Sequence, residues 1–281
     1  MQQAIRQASK YNDFTGTISQ VIVGENGDAF LSPNLLFCLR EIKTCLPGAS
    51  VTLYTNFLSS TPELWETIMR ECLVNKVICN IDSMESSQYG KAKNADFFVM
   101  YNSFLNFLDL RKALNKDILL EVNVLDPIVY LNTAETVFNQ KHKKKFYEYT
   151  KGEDMSVLTT NYLKMLLYEG DKIKNVLPCL WAERDKMKGL KNESTHCPHI
   201  NKVITEAFIA PDGTWYGCCL DHKYEIRLGN IVEQSFFDIA EGELRNEFIN
   251  NLIEGRFELI GSPCNTVDCC QCYKLGGEQN E

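Results

Sequence analysis

The cysteines near the C-terminus are the residues whose type and spacing could do chemistry. Seven of the chain's twelve cysteines lie between Cys197 and Cys272, and the first residues, MQQAIRQASKYNDF, lack the apolar core of a secretion signal. Thiols are kept reduced inside cells, so such crowding calls for metal binding, catalysis or burial rather than disulfides. The segment from 191 to the end looks too small and irregular to hold itself together by apolar burial alone, so we expect a metal site to stabilise it.

The spacing of these cysteines predicts which of them bind the metal. Fifteen residues separate Cys197 from Gly213, and four separate Gly213 from Cys218. Apolar segments flank the Pro-Asp-Gly turn at 211–213, which predicts a β-hairpin with Cys218 on its returning strand. Side chains alternate faces along a strand, so we expect only one of Cys218 and Cys219 to bind. The remaining ligands come from Cys264, Cys269, Cys270 and Cys272, and the spacing allows any two of these four to complete the site. We prefer Cys197, Cys218, Cys264 and Cys269, with Cys272 as a substitute.

Four thiolates suit either a [4Fe-4S] cluster or a tetrahedral zinc ion. Zinc sites usually contain two Cys-x2-Cys pairs, and only Cys269 to Cys272 has that form in this region. A cluster accepts more widely spread ligands, so we favour iron-sulfur, with zinc as the alternative metal and unligated, packed cysteines as the third reading. The histidines that flank Cys197, His196 and His199, could bind a metal, but a surface or hydrogen-bonding role is expected. Four further cysteines, in the first half of the chain, are expected to be buried as small apolar residues: Cys38, Cys45, Cys72 and Cys79.

The first part of the chain alternates short β-branched segments with segments of helical periodicity. The predicted strands are 19–25, 50–57, 76–83 and 117–126, and the predicted helices are 34–46, 62–73 and 96–114. Strands separated by helices form a parallel sheet, whose carboxyl ends hold the chemistry of such folds. The order of elements between 131 and 195 is left open. A hairpin and a helix at 235–255 follow. We therefore expect an α/β protein: a parallel sheet, open or barrel-like, with helices outside over 1–190, followed by a small cysteine-rich α+β domain over 191–281.

The composition narrows the classes of partner. The formal net charge of -8 argues against nucleic acid as a main partner, because phosphate binding requires a basic surface. No segment approaches the roughly 18 consecutive apolar residues of a membrane span. We expect a cytoplasmic protein that binds neither nucleic acid nor membrane.

The C-terminal region resembles the SPASM or twitch-type extension of radical S-adenosylmethionine enzymes. The features that carry this resemblance occur in the family's order: Cys197, Gly213, Cys218 and Cys219, Asp221, the Leu-Gly-Asn turn at 228–230, a helix, and the terminal cysteines. The resemblance implies that the C-terminal cluster is auxiliary to a second, catalytic cluster.

The first domain resembles the partial barrel of the same family, which implies an incomplete (β/α) partial TIM-type barrel over 1–190. GDAFLSPNL (27–35) is similar to the Gly-Glu-Pro segment that contacts the methionine amino group of the cofactor, with Asp28 in place of Glu. VTLYTNF (51–57) is similar to the strand that ends in Thr-Asn-Gly, with Phe57 where Gly is common, and NIDS (80–83) is similar to the next strand end. The resemblance implies that S-adenosylmethionine contacts Gly27, Asp28, Thr55, Asn56 and Asp82.

One departure from the family pattern concerns the catalytic cluster. The family's Cys-x3-Cys-x2-Cys motif leaves one iron open for the cofactor, which is then cleaved to a radical that abstracts a substrate hydrogen. That spacing does not occur in the 281 residues, and residue 1 falls in what resembles the helix after the motif. We interpret the chain as truncated or misassigned, as having lost the chemistry, or as receiving the motif from a partner chain.

Two functions remain as hypotheses. The first is a radical S-adenosylmethionine/SPASM-type iron-sulfur protein whose chemistry requires the missing motif, and whose substrate is a peptide or a small molecule. The second is a non-catalytic iron-sulfur or zinc module that binds a partner protein. A plain α/β enzyme has less support, since the sequence shows no phosphate loop, no nucleophile elbow and no histidine pair at helical spacing.

Overall fold

The computed structural model describes residues 2–25, 27–81, 83–84, 86, 89, 95–114, 116–125, 155–176, 197, 199–221, 223–261 and 264. The chain divides into two compact units. One unit is Ser19–Pro178, and the other combines Met1–Ile18 with Cys179–Glu281. The prediction placed residues 1–18 with the first domain, whereas the structure places them with the C-terminal unit.

The unit Ser19–Pro178 is built around a five-stranded parallel sheet. Its strands are β1 (Gln20–Val23), β2 (Ser50–Thr55), β3 (Lys76–Asn80), β4 (Leu119–Leu125) and β5 (Lys172–Val176), paired in chain order. Its helices are α2 (Leu35–Cys45), α3 (Pro62–Arg70), α4 (Phe97–Ala113) and α5 (Met155–Leu166), with a 3₁₀ turn at Ala29–Leu31. This alternation confirms the predicted α/β class and the partial-barrel architecture.

The two faces of this sheet differ because alternate residues of each strand point to opposite sides. On one face the side chains are fully buried, as Val51, Leu53, Val77 and Val122 show. Their partners in the core include an aromatic cluster from the helices and the loop after β2: Phe57, Trp65, Phe104 and Phe107. The other face carries polar side chains, several of them partly exposed, such as Lys76 and Asn123.

The strand after α5 has no counterpart among the predicted strands. Residues 172–176 form β5, which pairs in parallel with β4 from Glu121↔Lys172 to Leu125↔Val176. Its sequence, KIKNV, carries three polar residues, so it lacks the continuous apolar character by which buried parallel strands are recognised. The segment 131–195 therefore contributes a helix and a strand to the first unit.

The C-terminal unit contains a small antiparallel sheet surrounded by helices. Its strands are β6 (Phe208–Ile209), β7 (Thr214–Tyr216) and β8 (Arg227–Asn230), in that order. Its helices are α1 (Gln2–Thr15), α6 (Ile200–Thr205), α7 (Phe236–Ala240), α8 (Glu243–Ile253) and α9 (Phe257–Ile260). The single helix predicted at 235–255 is two helices, because the chain leaves helical geometry at Gly242, the N-cap of α8.

Helix α1 completes the core of the C-terminal unit. The side-chain amide of Gln7 donates to the Ile231 carbonyl oxygen at 2.8 Å. The Tyr11 ring packs on Phe236 with a centroid distance of 5.0 Å, and Ala4 lies in the same buried cluster. Polar contacts of this kind have no sequence signature, which explains why the division at residue 190 assigned α1 to the other domain.

The hairpin around the Pro-Asp-Gly turn forms, but it is shorter than predicted. Phe208 pairs with Tyr216 and Ile209 with Trp215. The apolar segment before the turn, VITEAFIA (203–210), forms a strand only at its end, because residues 203–205 belong to α6. The returning strand stops at Tyr216, so Cys218 lies in the loop beyond it and not on a strand. Contrary to the prediction from the sequence, Cys218 and Cys219 therefore do not point to opposite faces of a strand.

Gly213 is required at the turn because its φ is positive and because neighbouring side chains leave no room for a Cβ. A pair of variants separates these two effects. Its φ is +88°, and a Cβ there would lie 2.8 Å from Val232 Cγ2 and 2.9 Å from Asn230 Oδ1. Gly16 has φ +64° with nothing within 4 Å of its Cβ position. We expect Gly16→Ala to lower the free energy of unfolding by about 1 kcal/mol, through backbone strain alone. Gly213→Ala should cost about 1–3 kcal/mol more, through overpacking. Equal effects in urea denaturation would contradict the close approach.

Candidate functional site

Three of the predicted metal ligands lie in the apolar core of the C-terminal unit. Cys197, Cys218 and Cys264 are 5%, 4% and 2% exposed, and all three lie in the same buried cluster without forming a disulfide. The other two predicted ligands, Cys269 and Cys272, lie outside the described residues, as does Cys270. Among the residues that the structure does describe, no three Cys, His, Asp or Glu side chains are arranged to hold a metal ion.

The loop that follows β7 directs backbone N–H groups at Cys218. The Leu220 N–H donates to Cys218 Sγ at 3.4 Å, and the Asp221 N–H donates to the Cys218 carbonyl oxygen at 3.0 Å. Burial raises the pKa of the Cys218 thiol, and the nearby thiols of Cys264 and Cys219 raise it further, while the N–H groups of Leu220 and Asp221 lower it. A buried thiol of this kind becomes a thiolate when a metal supplies positive charge. The donors therefore fit a thiolate-bound metal centre.

Asp221 fixes the shape of this loop. Its side chain is 2% exposed, and the carboxylate accepts hydrogen bonds from Glu225 N–H at 2.9 Å and Ile226 N–H at 2.8 Å. Its own carbonyl oxygen accepts from the Tyr224 N–H at 3.0 Å. These bonds close the turn between Cys218 and β8, so Asp221 positions the backbone that surrounds the Cys218 sulfur.

Replacing Asp221 tests this structural role. In Asp221→Asn one side-chain oxygen becomes an NH2 group that faces a backbone N–H, so a charge-assisted bond is replaced by a clash of donors. We expect the free energy of unfolding to fall by about 2 kcal/mol. Urea denaturation measures the loss, and the exposed Glu225→Gln variant, which keeps the backbone bond, should match the wild type. An unchanged midpoint in Asp221→Asn would contradict the account.

The predicted cofactor residues meet where β1 and β2 end. The Asp28 carboxylate accepts from the Phe30 N–H at 2.9 Å, from Thr55 Oγ1 at 3.3 Å and from the Asn56 N–H at 3.3 Å. Asp28 thus joins the loop after β1 to the end of β2. Gly27 is exposed beside it, whereas Asp82 lies outside the described residues.

The backbone beyond Thr55 has an unusual conformation. Phe57 has φ +62°, the left-handed region that glycine adopts most readily, yet its side chain is fully buried. The Phe57 N–H donates to Thr55 Oγ1 at 3.0 Å, and the Leu58 N–H donates to Asn56 Oδ1 at 2.9 Å. Phe57, which occupies the position where Gly is common in the family it resembles, therefore keeps the left-handed conformation and adds an aromatic side chain to the core.

The polar residues of the sheet were not predicted as site residues. Asn123 Nδ2 donates to Asn80 Oδ1 at 2.9 Å, and Lys76 Nζ donates to Glu121 Oε2 at 2.7 Å. A signal for them was present, because LLEVNVL alternates polar residues 121 and 123 with buried apolar ones. The alternation indicates a strand with one polar face, whereas a strand buried on both faces would be apolar throughout.

Of the four cysteines expected to be buried, Cys38 and Cys79 are buried and Cys45 is half-buried. Cys72 is exposed, so the prediction was wrong for this residue. It follows the end of α3 with φ +52°, and Lys116 Nζ donates to its sulfur at 3.2 Å. The helix was predicted to continue to residue 73, which would have placed Cys72 on a helical face, but it ends at Arg70.

The exposure difference among these thiols is testable by alkylation. We expect iodoacetamide at neutral pH to label Cys72 at least about tenfold faster than Cys79, because Cys79 is fully buried and burial raises the pKa of its thiol. Peptide mass spectrometry after timed quenching gives both rates in one sample. Comparable rates under native conditions would contradict the placement of Cys72, and urea should abolish the difference.

Comparisons with known proteins identify the C-terminal region and the fold. Residues 197–273 match the model of the SPASM family, an iron-sulfur cluster-binding domain. No curated protein matches the chain. The structure of BtrN in complex with AdoMet and 2-DOIA is similar at TM-score 0.52 and 15% identity, over 95% of this chain and 77% of that chain. The structure of anSMEcpe with bound AdoMet is similar at 0.53 and 13%, over 98% and 81%.

A further structure, anSMEcpe with bound AdoMet and the Cp18Cys peptide, is similar at TM-score 0.52 and 14% identity, over 98% of this chain and 86% of that chain. At these identities the likeness establishes the fold. The chain therefore has the fold of radical S-adenosylmethionine proteins that carry a C-terminal extension. Residues 197–273 match a SPASM domain, so the resemblance of the C-terminal region to that domain is confirmed, and the resemblance of the first domain to the partial barrel is confirmed at the level of the fold. None of the helices in the described ranges has the length and apolar content of a membrane span.

Proposed function

We propose that the C-terminal unit binds an auxiliary [4Fe-4S] cluster through Cys197, Cys218, Cys264 and Cys269, with Cys272 as the substitute ligand. The observation that carries this proposal is the burial of the first three thiols in one core, inside a region that matches a SPASM domain. Cysteine thiolates are the usual ligands of such clusters, and the Leu220 N–H bond to sulfur is typical of their surroundings. Reduced thiols suit a cytoplasmic protein.

We propose further that the edge formed by Gly27, Asp28, Thr55, Asn56 and Asp82 binds S-adenosylmethionine. Support comes from the position of this edge at the carboxyl ends of parallel strands, where such sheets bind ligands, and from neighbours solved with AdoMet. Asp28 would accept a hydrogen bond from the amino group of the cofactor. An ionised carboxylate accepts about four hydrogen bonds, and three groups of the protein already donate to Asp28, which leaves capacity for one more.

The reaction that this arrangement supports is hydrogen abstraction from a peptide or small-molecule substrate. A catalytic cluster whose open iron holds S-adenosylmethionine would supply the electron that cleaves it to methionine and the radical, and such a cluster requires three cysteines in a Cys-x3-Cys-x2-Cys loop. The 281 residues contain no such spacing, so the proposed activity requires that loop from a longer form of the chain or from a partner chain. The residues at the ends of β1 and β2 would bind and orient the cofactor, and the core of the C-terminal unit would shield the auxiliary cluster from water.

Anaerobic reconstitution with iron and sulfide tests the cluster. We expect about four iron and four sulfide per chain, with broad charge-transfer absorbance in the violet. Retention of one zinc ion, without iron or visible absorbance, would support the non-catalytic zinc module instead.

Calorimetry with S-adenosylmethionine tests the cofactor site on the reconstituted chain. We expect measurable binding that falls about tenfold or more in Asp28→Asn, because one charge-assisted bond is lost. Asp117→Asn, an exposed change in the same unit, should leave the affinity unchanged. Binding that both variants weaken equally, or no binding by the wild type, would contradict the proposed site.

A further inference from the structure

One row of polar side chains crosses the face of the parallel sheet opposite its apolar, fully buried face. Asn80 of β3 is paired with Asn123 of β4, which is paired with Lys174 of β5. Residues paired across parallel strands point to the same side, and neighbouring strands are about 4.8 Å apart. These three side chains, called the polar layer below, therefore lie next to each other in the carboxyl-terminal half of the sheet.

The hydrogen bonds of the polar layer leave a specific set of groups for a ligand. Asn123 Nδ2 donates to Asn80 Oδ1 at 2.9 Å. The second side-chain oxygen of this pair, Asn123 Oδ1, is buried and accepts no hydrogen bond within the described part of the chain. A buried acceptor without a donor costs about 1–3 kcal/mol, so a ligand N–H placed there removes a penalty. Asn80 retains amide N–H donors beside it.

The charge of the polar layer comes from Lys174. Its ammonium lies 2.8 Å from Glu121 Oε1, and Lys76 lies 2.7 Å from Glu121 Oε2, so two cations share one carboxylate. Glu121 is 4% exposed; burial raises its pKa, but the hydrogen bonds from Lys174 and Lys76 outweigh burial and hold that pKa below the ordinary value. The group is thus ionised at neutral pH, and one positive charge remains in excess. The Lys174 side chain is 55% exposed and keeps two of its three donors for an anion.

We infer that the polar layer binds an acylated α-carboxylate, the group at the C-terminus of a peptide or in an N-acyl amino acid. Lys174 donates to the carboxylate, the amide N–H of the same ligand residue donates to Asn123 Oδ1, and Asn80 Nδ2 donates to the preceding carbonyl oxygen. A carboxylate carbon and the amide nitrogen of the same residue are about 2.5 Å apart, so side chains on adjacent strands reach both. This inference rests on the proposed function, since it names the substrate class for the same sheet edge.

Titration of the full chain with a matched pair of peptides tests the inference. Calorimetry compares the affinity of two probes. One is acetyl-trialanine with a free C-terminal carboxylate, and the other is the same peptide as its C-terminal amide. We expect the carboxylate form to bind at least about tenfold more tightly, the ratio for one charge-assisted hydrogen bond. N-acetylalanine serves as the small-molecule arm: affinity equal to that of the peptide identifies an N-acyl amino acid site, and weaker affinity identifies a peptide site, both of which support the inference.

Variants assign the effect to the polar layer. Lys174→Met and Asn123→Leu should each weaken the carboxylate peptide about tenfold, while Lys174→Arg retains most of the affinity. Lys172→Met is the matched control. Lys172 is exposed, carries the same charge, and lies on the same face of β5 two residues before Lys174. Thermal denaturation checks that each variant is folded. If Lys174→Met does not fold, Asn123→Leu and Lys174→Arg still provide the test.

Three results would overturn the inference. They are equal binding of acid and amide, an equal loss in Lys172→Met, and a loss of S-adenosylmethionine affinity in the polar-layer variants without a loss of peptide affinity. The last would assign the layer to the cofactor. Because the peptide titration needs neither iron nor cofactor, its failure is distinguishable from failure of the proposed function, which is read from iron content and S-adenosylmethionine binding.

Discussion

Cys218→Ser is expected to remove the cluster from the C-terminal unit. A serine hydroxyl is a poor iron ligand at neutral pH, and the site would keep only three of its thiolates. After anaerobic reconstitution we expect the iron content to fall from about four per chain to less than one. The violet absorbance should fall in proportion. The effect is large because Cys218 is 4% exposed and lies in the same core as Cys197 and Cys264, so water cannot readily replace the missing ligand.

The control for this variant is Cys38→Ser. Cys38 is also a buried free thiol, 3% exposed, but it lies in the other unit on α2. Its replacement should lower stability and leave the iron content unchanged. Full iron content in Cys218→Ser, or the same loss in Cys38→Ser, would show that iron binding does not depend on the thiols of the C-terminal core.

Asp171→Asn is expected to destabilise the parallel-sheet unit strongly. Arg111 and Asp171 form a two-fold hydrogen-bonded ion pair, with Nη1–Oδ1 and Nη2–Oδ2 distances of 2.8 and 2.6 Å, and their side chains are 2% and 4% exposed. Asp171 also accepts from the N–H groups of Leu120 and Tyr168, which ties the start of β4 to the loop before β5. Neutralising the carboxylate leaves a buried guanidinium without its partner, which costs about 3–5 kcal/mol.

Urea denaturation measures this loss, and the exposed Asp117→Asn provides the baseline. A double variant, Arg111→Met with Asp171→Leu, should recover part of the stability, because two apolar side chains leave no uncompensated charge. A loss below about 1 kcal/mol in Asp171→Asn would mean that the pair behaves as an exposed one, in contradiction to its burial.

The fold was largely predictable because its elements have strong periodicity. The strands from Gln20 to Leu125 are short and β-branched, and the helices between them have clear starts, such as Thr61 before Pro62, whose side chain caps α3 at 3.3 Å. β5 was not predictable, because KIKNV is short and carries three polar residues, two of them adjacent, so it has neither the continuous apolar character nor the regular alternation of a strand. The helix α1 was assigned to the other unit because its contacts are made by Gln7 and Tyr11, residues that no pattern connects to a partner.

The candidate sites were predictable as residue types and not as geometry. The order of Cys197, Gly213 and Cys218 indicated the C-terminal site, but the loop that holds Cys218 depends on the buried carboxylate of Asp221, which spacing does not reveal. Asp28 was identified by resemblance alone, and its bonds to the end of β2 are a feature of tertiary structure. The polar layer required the register of three strands, because Asn80 and Asn123 are 43 residues apart in sequence.

Mössbauer spectroscopy of the chain reconstituted with ⁵⁷Fe tests the central claim most directly, because it identifies the coordination of every iron atom. The account predicts a spectrum dominated by iron in the tetrahedral sulfur environment of a diamagnetic [4Fe-4S] cluster, which disappears in Cys218→Ser and persists in Cys38→Ser. A spectrum of iron with oxygen and nitrogen ligands only, together with one tightly bound zinc ion per chain, would contradict it.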